Sequence, residues 1–266
     1  MKIKKYYSQN FLINNNYIIK IVNILKISKI NYDCILEIGA GIGNLSKELI
    51  KIKNKKIILI EIDKYLFKQL KKKFIVYKII NKNILNCNLK KLGYKKYYII
   101  GNFPYNISSK LILWIIQNKK YIVECIGMFQ KEFVNSIFSI NDKFKTKLSI
   151  YINLYFKVIK LFNINNNNFF PIPKVNSTVI KLKKKKSNLL KINNINEKKF
   201  FLFIKECFKY KRKIIKNSLF YLFNKININN KLFFKRIDEL NIYEIIKLYK
   251  IINKYYNINE IKKKYI

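Results

Sequence analysis

Three of the six glycines in the chain, Gly39, Gly41 and Gly43, fall within five residues of one stretch, LEIGAGIGNLS. Between a strand and a helix, such glycines permit a tight turn and let the backbone come close to a ligand above the carboxyl end of a sheet. Glu61 ends the next apolar run, IILIEID, where its carboxylate would accept both hydroxyls of a ribose. Loop and carboxylate together point to a nucleoside-like cofactor; a plain structural turn is the competing reading. The dinucleotide fingerprint GxGxxG would require glycine at 44, where Asn44 stands, so a pyrophosphate cradle for NAD is disfavoured.

All three prolines lie in two short aromatic stretches, Pro104 in GNFPYNISS and Pro171 and Pro173 in FFPIPKVNSTV. An Asn-aromatic-Pro-Tyr turn just after a strand presents the Asn102 side-chain oxygen and a backbone carbonyl as acceptors, and Tyr105 offers a ring face. This suits a flat base with an exocyclic amine. Adenine N6 is a poor nucleophile because its lone pair is delocalised into the ring. Acceptors for its two hydrogens would favour the pyramidal geometry that attacks a methyl sulfonium, so no strong base is required and the protein contributes positioning and desolvation. Stacking between Tyr105 and Phe169 would offset part of the expense of taking the base out of its stack. Phe170 is the alternative ring, since neighbours on an extended segment alternate faces. The bland alternative is that these aromatics are core.

The elements that must position these groups read as strands at 35–38, 56–62, 75–80, 97–101 and 122–129, with helices at 44–53, 64–73, 107–117 and 131–138. Strands alternating with helices predict a mostly parallel sheet covered on both faces. Two apolar runs between 157 and 182, around an Asn-rich loop at 163–168, fit an antiparallel hairpin at the sheet edge. After KLKKKKS at 181–187 the strand signals fade, and 196–266 reads as four or five short helices, with a boundary near 184.

Composition narrows the function classes. Half of the 266 residues are hydrophobic and 15% aromatic, which excludes a disordered chain. Lys+Arg of 56 against Asp+Glu of 14 gives a formal charge of +42, which favours polyanions, nucleic acid foremost. The abundance of Lys, Asn, Ile, Tyr and Phe also fits a compositional bias that would leave many Lys as solvated faces. Asn and Lys interrupt each Ile-rich run before the ~18 apolar residues of a membrane-spanning helix, and the N-terminus lacks the apolar core of a secretion signal; a cytoplasmic protein without a membrane partner is expected. Cys34, Cys87, Cys125 and Cys207 form no CxxC pair and read as buried free thiols. The chain has no His, which excludes His-based triads and His-ligated zinc, and no metal is expected.

Five segments, SQNFL at 8–12, LEIGAGIG at 36–43, IEID at 60–63, GNFPYNIS at 101–108 and FxPxPKVxS from 169 to 177, together resemble the ribosomal RNA adenine N6,N6-dimethyltransferases, in order across roughly residues 8–182; QKEFVNS at 130–136 is also similar. The resemblance implies an α/β fold, a Rossmann-like class I methyltransferase sheet with an antiparallel edge hairpin over 1–183, and a small basic helical RNA-binding domain over 184–266. It implies S-adenosylmethionine as cofactor, with Asn10 and Leu12 closing over it, Gly39 lining its methionine side, Glu61 holding the ribose, and Asn102 serving cofactor and substrate. Where the family usually has an acidic residue that recognises the cofactor's adenine, this chain has Asn83, whose carbonyl can still accept a hydrogen bond. Ala40 replaces a frequent Pro. CFKYKRKIIKNSL at 207–219 resembles the branch that modifies two adjacent adenines near the 3′ end of small-subunit rRNA, in which a basic helix carries a similar signature; this places Lys211, Arg212, Lys213 and Lys216 on RNA. The expected partner is rRNA within an immature small subunit, and the expected state a monomer. A large-subunit rRNA methyltransferase and a catalytically silent RNA-binding assembly factor are the alternatives.

Overall fold

The computed structural model describes residues 9–138, 145–223 and 230–255. They fall into two compact units, one within Met1–Val134 and Phe156–Lys185 and the other within Asn135–Tyr155 and Lys186–Ile266.

The first unit contains β1 (Phe11–Leu12), α1 (Asn15–Lys26), β2 (Cys34–Ile38), α2 (Asn44–Leu49), β3 (Lys56–Glu61), α3 (Lys64–Lys73), β4 (Lys78–Asn81), β5 (Tyr97–Asn102), α4 (Ser108–Gln117) and β6 (Ile122–Gln130). After α5 (Lys131–Phe138) and α6 (Lys147–Tyr155), it resumes with β7 (Phe156–Ile164), β8 (Phe169–Phe170) and β9 (Ser177–Lys184). Seven strands form one sheet in the order β4-β3-β2-β5-β6-β9-β7. The first five are parallel, and β9 runs antiparallel to both β6 and β7. The expected parallel sheet with an antiparallel edge hairpin is therefore the observed fold. Helices cover the central strands, so β2 is buried along its whole length and reads as a continuous apolar run rather than an alternating one. The chain leaves β2 towards β3 and β4 on one side and returns to β5 on the other. A ligand crevice is expected at such a reversal, outside the carboxyl ends of the strands.

Three local differences from the sequence reading have physical causes. Helix α1 is unanticipated, although Ile18, Ile21, Val22 and Leu25 make a buried i, i+3, i+4, i+7 stripe; the Asn residues around it mask the pattern, and Asn14 caps its start by accepting from the Asn16 N–H. Strand β4 begins at Lys78 rather than 75, because Phe74 closes α3 and the Tyr77 N–H turns back onto its carbonyl at 3.1 Å. Ile75 and Val76 stay exposed in that turn. Directly after the Asn-rich loop comes β8, which leaves the hairpin to pair antiparallel with β1, Phe11 opposite Phe170 and Leu12 opposite Phe169.

The second unit contains α6 with α7 (Leu189–Ile192), α8 (Glu197–Cys207), α9 (Ile215–Phe223) and α10 (Ile242–Tyr255). Tyr151 of α6 stacks on Phe201 of α8 at 4.2 Å and donates its hydroxyl to the Phe201 carbonyl at 2.8 Å. Phe200 and Phe203 of α8 meet Tyr249 of α10 edge-on at 5.3 and 5.5 Å. Helix α6 thus packs with the C-terminal helices. The four cysteines are buried and free, and among the described residues no helix is long and apolar enough to cross a membrane.

Candidate active site

At the reversal between β2 and β5 lies a cleft of two adjoining cavities. One is lined by Gln9, Asn10, Phe11, Gly39, Gly41, Glu61, Asn102 and Tyr105 among others. The next shares Gly39, Ile62 and Pro104 with it and continues to Asn83, Ile84, Asn106 and Ile107. The backbone geometry of the loop after β2 makes this approach open. Gly39 has φ +70°, and a Cβ there would stand 3.7 Å from the Asn102 carbonyl oxygen and 3.8 Å from Pro104 Cδ, inside the cleft.

Glu61 ends β3 with its side chain almost wholly buried; Oε2 accepts from the Gly41 N–H at 2.7 Å and Oε1 from the Asp63 N–H at 2.9 Å. Burial pushes its pKa up, and these backbone donors pull it back towards the ionised form. Each oxygen keeps a further lone pair for a ligand hydroxyl, so the carboxylate is rigidly aimed along the cleft.

The Asn-Phe-Pro-Tyr turn is anchored by its phenylalanine. Phe103 is buried over the backbone of two paired glycines, Gly101 of β5 and Gly127 of β6; a Cβ on Gly127 would stand 1.9, 2.5 and 2.7 Å from three atoms of the Phe103 ring. That seat holds Asn102 at the end of β5 and sends Pro104 and Tyr105 into the cleft. Asn102 donates Nδ2 to the Asn10 carbonyl at 2.5 Å, which leaves Oδ1 as its acceptor for a ligand. The Pro104 carbonyl accepts from the Ile107 N–H at 3.2 Å and retains its second lone pair. The Tyr105 hydroxyl bonds Ser177 Oγ at 2.5 Å, and desolvation raises its pKa, so this ring is a fixed neutral wall.

The N-terminal strap that forms the cleft's other side is tied at several points. Asn44 Nδ2 donates to the Leu12 carbonyl at 2.9 Å, the Ile13 N–H to the Asn168 carbonyl at 2.9 Å, and Gln9 Nε2 to Asp63 Oδ2 at 3.2 Å. Thus Asn44, noted in the sequence only for breaking the dinucleotide fingerprint, fastens the strap to the glycine loop. Gln9, Phe11, Phe103 and Ser177 are site residues that residue-type reasoning passes over; their contribution depends on partners far away in the chain.

The sequence-derived residues are not all in the cleft. Asn10, Gly39, Glu61, Asn102 and Tyr105 line one cavity and Asn83 the other. Leu12 points into the hydrophobic core, 5% exposed, and reaches the site only through its carbonyl. Phe169 lies opposite it in the same core, 1% exposed, while Phe170 is 58% exposed and shares a face of the β1–β8 ribbon with Phe11. Asn83 Oδ1 accepts from the Leu85 N–H at 3.0 Å and keeps a second lone pair. In the second unit, Lys211, Arg212 and Lys213 occupy the turn between α8 and α9 rather than a helix, and only Lys216 sits on α9. Helix α8 ends at Cys207 and a tight turn over Phe208–Tyr210 follows. Arg212, Lys213 and Lys216 are exposed, whereas Lys211 is half-buried with Nζ 3.6 Å from Asp238 Oδ2.

The family model described as ribosomal RNA adenine dimethylase matches residues 1–258. The chain is 38% identical over 263 residues to the ribosomal RNA small subunit methyltransferase A of Mycoplasmopsis synoviae, covering 94% of this chain and 97% of that one. It is 32% identical over 249 residues to the protein of the same name from Hydrogenobaculum, covering 94% and 93%. Among solved structures, a dimethyladenosine transferase from Plasmodium falciparum superposes with a TM-score of 0.74 at 27% identity over 92% of this chain and 98% of that chain. The 23S rRNA methyltransferase ErmE superposes at 0.66 with 19% identity, over 90% and 98%, and shares the fold. With its glycine loop, buried Glu61 carboxylate and Asn-Phe-Pro-Tyr turn in one cleft, this chain belongs to the ribosomal RNA adenine dimethylase family.

Proposed function

We propose that this enzyme uses S-adenosylmethionine to dimethylate N6 of two adjacent adenosines near the 3′ end of small-subunit rRNA, acting as a monomer on an immature small subunit in the cytoplasm. The observation that carries the reading is the placement of Asn102. Its Nδ2 is committed to the Asn10 carbonyl of the strap, so its Oδ1 is held as an acceptor between the cofactor cavity and Tyr105.

The cleft fits the cofactor. Gly39 supplies an open backbone wall, Glu61 a buried carboxylate with lone pairs to spare for a diol, and the apolar Ile62, Ile84 and Ile107 a slot for a flat base. Asn10 closes the strap side, and Leu12 contributes by holding that strap in the core. When bound, S-adenosylmethionine supplies the electrophilic methyl group. Asn102 Oδ1 and the Pro104 carbonyl would then accept the two N6 hydrogens, directing the nitrogen lone pair out of conjugation with the ring, and Tyr105 would stack on one face of the base. Phe169 is proposed for the second face; its ring must leave the core to serve there, whereas Phe170 needs no such movement. The proton released on methylation passes to water, since no imidazole exists in the chain.

Residues 1–183 are proposed as the methyltransferase domain and 184–266 as the RNA-binding domain, with Lys211, Arg212, Lys213 and Lys216 on the rRNA backbone. The small-subunit substrate is favoured by the names of the relatives, which cover nearly the whole chain. Labelled S-adenosylmethionine offered with immature small subunits or with large subunits tests it. Label in the small subunit alone is the expected result. Label in the large subunit would move the enzyme to that branch, and tight subunit binding without label would leave an assembly factor.

A further inference from the structure

The second unit presents one aromatic ring outward amid its cations. The turn Lys231–Phe234 is capped by Asn230, whose side-chain oxygen accepts from the Leu232 N–H at 3.0 Å. Its two phenylalanines part ways: Phe233 is fully buried and anchors the turn, and Phe234 is 57% exposed. The residues that follow lie along the start of α9, with Arg236 bridged to Ile214 and the Ile215 N–H donating to the Lys235 carbonyl at 2.9 Å. This sets Phe234 beside the basic stretch 211–216, with Lys216 Nζ over its ring, 5.7 Å from the centroid. A single exposed ring needs no explanation in itself; the charge around this one selects a ligand. Lys235 and Arg236 are neutralised locally, by Glu244 at 3.1 Å and by Glu239 at 3.0 Å. Lys216 and Arg212 are exposed and have no carboxylate partner among the described residues. An apolar face flanked by unneutralised cations complements a nucleotide, a flat base carried on a phosphate.

We infer that Phe234 is a stacking platform for an unpaired base of the rRNA, with Lys216 and Arg212 meeting the phosphates beside it. The inference rests on the proposed placement of the 211–216 stretch on rRNA and adds to it a contact made to a base. In a paired helix both faces of a base are covered by its neighbours, so the ring selects a loop, bulge or single strand. Stacking on an aromatic ring tolerates any base and is worth a factor of about five to a hundred in affinity. It releases no counterions, so unlike the lysine contacts it is indifferent to salt.

The test titrates immature small subunits with the whole chain at several salt concentrations, comparing wild type, Phe234→Ala, Phe234→Leu, Phe234→Tyr and Lys216→Gln. Phe234→Ala and Phe234→Leu should each weaken binding by about fivefold or more with the salt slope unchanged, and Phe234→Tyr should bind as the wild type does. Lys216→Gln should instead lower the slope by about 0.7–0.9. Because Phe234 projects from the surface, thermal melts of its variants should match the wild type, which separates loss of stacking from loss of fold. Phe234→Leu keeps apolar bulk and supplies the comparison with Phe234→Tyr should Phe234→Ala melt lower. Wild-type affinity in folded Phe234→Ala overturns the inference, and so does wild-type affinity in Phe234→Leu, which would show an apolar contact without stacking. In either case a lowered slope in Lys216→Gln leaves the rRNA placement of the basic stretch standing. An unaltered slope in Lys216→Gln overturns that placement of Lys216 and the inference with it, a distinct result.

Discussion

Glu37 of β2 lies just below the glycine loop, fully enclosed, with Oε2 accepting from Ser46 Oγ at 2.6 Å. Burial pushes its pKa up to about 8, opposed by the Ser46 hydroxyl and reinforced by the like charge of Glu61. The ordinary value is 4.5. Its neutral form is therefore favoured by folding: the stability it contributes is complete below pH 4.5, declines as pH rises towards 8, and is gone above that. Replacing it by Gln, which is neutral throughout, should remove this decline. Thermal melts between pH 5 and 9 should show wild type losing ground to Glu37→Gln by on the order of a few kcal/mol; parallel curves would refute the buried neutral acid.

Placement in the cleft was legible where chemistry dictates the residue type, as at Glu61 and Asn102. Contacts were hidden where the partner is remote: Asn44 serves the Leu12 carbonyl 32 positions away, and Ser177 serves Tyr105 across 72. The same limit applies to the neighbouring rings, because only the pairing of β8 with β1 decides which side faces the core. Phe169→Ala should lose about 3–5 kcal/mol of stability as a core deletion together with methyl transfer, whereas Phe170→Ala should leave Tm unchanged. Full transfer by folded Phe169→Ala would pass the stacking role to Phe170.

Among the elements, the β5–β6 pair positions the chemistry. Gly101 opposite Gly127 opens a seat in an otherwise filled sheet, and Phe103 occupies it. A methyl group at Gly127 would displace the ring and with it the turn carrying Asn102 and Tyr105. Gly127→Ala should therefore weaken S-adenosylhomocysteine binding by about tenfold or more and abolish transfer, with circular dichroism still reporting the sheet; unchanged binding would show that the seat is not what holds the turn. The alternation of strands and helices was readable because buried parallel strands are near-continuous apolar runs. Helix α6 was not, since it is buried on nearly every side and such a helix lacks the one-sided apolar stripe that identifies a surface helix. The basic stretch 211–213 misleads in the opposite way: its charges suit a helix surface, but the helix has already ended at Cys207.

For the molecule as a whole, the +42 charge predicts association with rRNA that falls steeply with salt. Its abundance also hides which cations matter, because lysines that compositional bias supplies look the same as those that touch phosphate. Arg212 and Lys213 are exposed together in the α8–α9 turn. Replacing both by Gln should lower affinity for immature small subunits and flatten the salt dependence by roughly one phosphate contact per residue, about 0.7–0.9 in logarithmic slope each, while S-adenosylhomocysteine affinity stays constant. An unaltered slope would assign the RNA contact elsewhere. The central claim, that Asn102 prepares an adenosine amine for methylation, is tested most directly by nucleoside analysis of immature small subunits incubated with S-adenosylmethionine and either wild type or Asn102→Ala. Dimethyladenosine formed by the wild type and lost in a variant that still binds the subunit is the predicted result; dimethyladenosine at wild-type yield and rate from Asn102→Ala would contradict it.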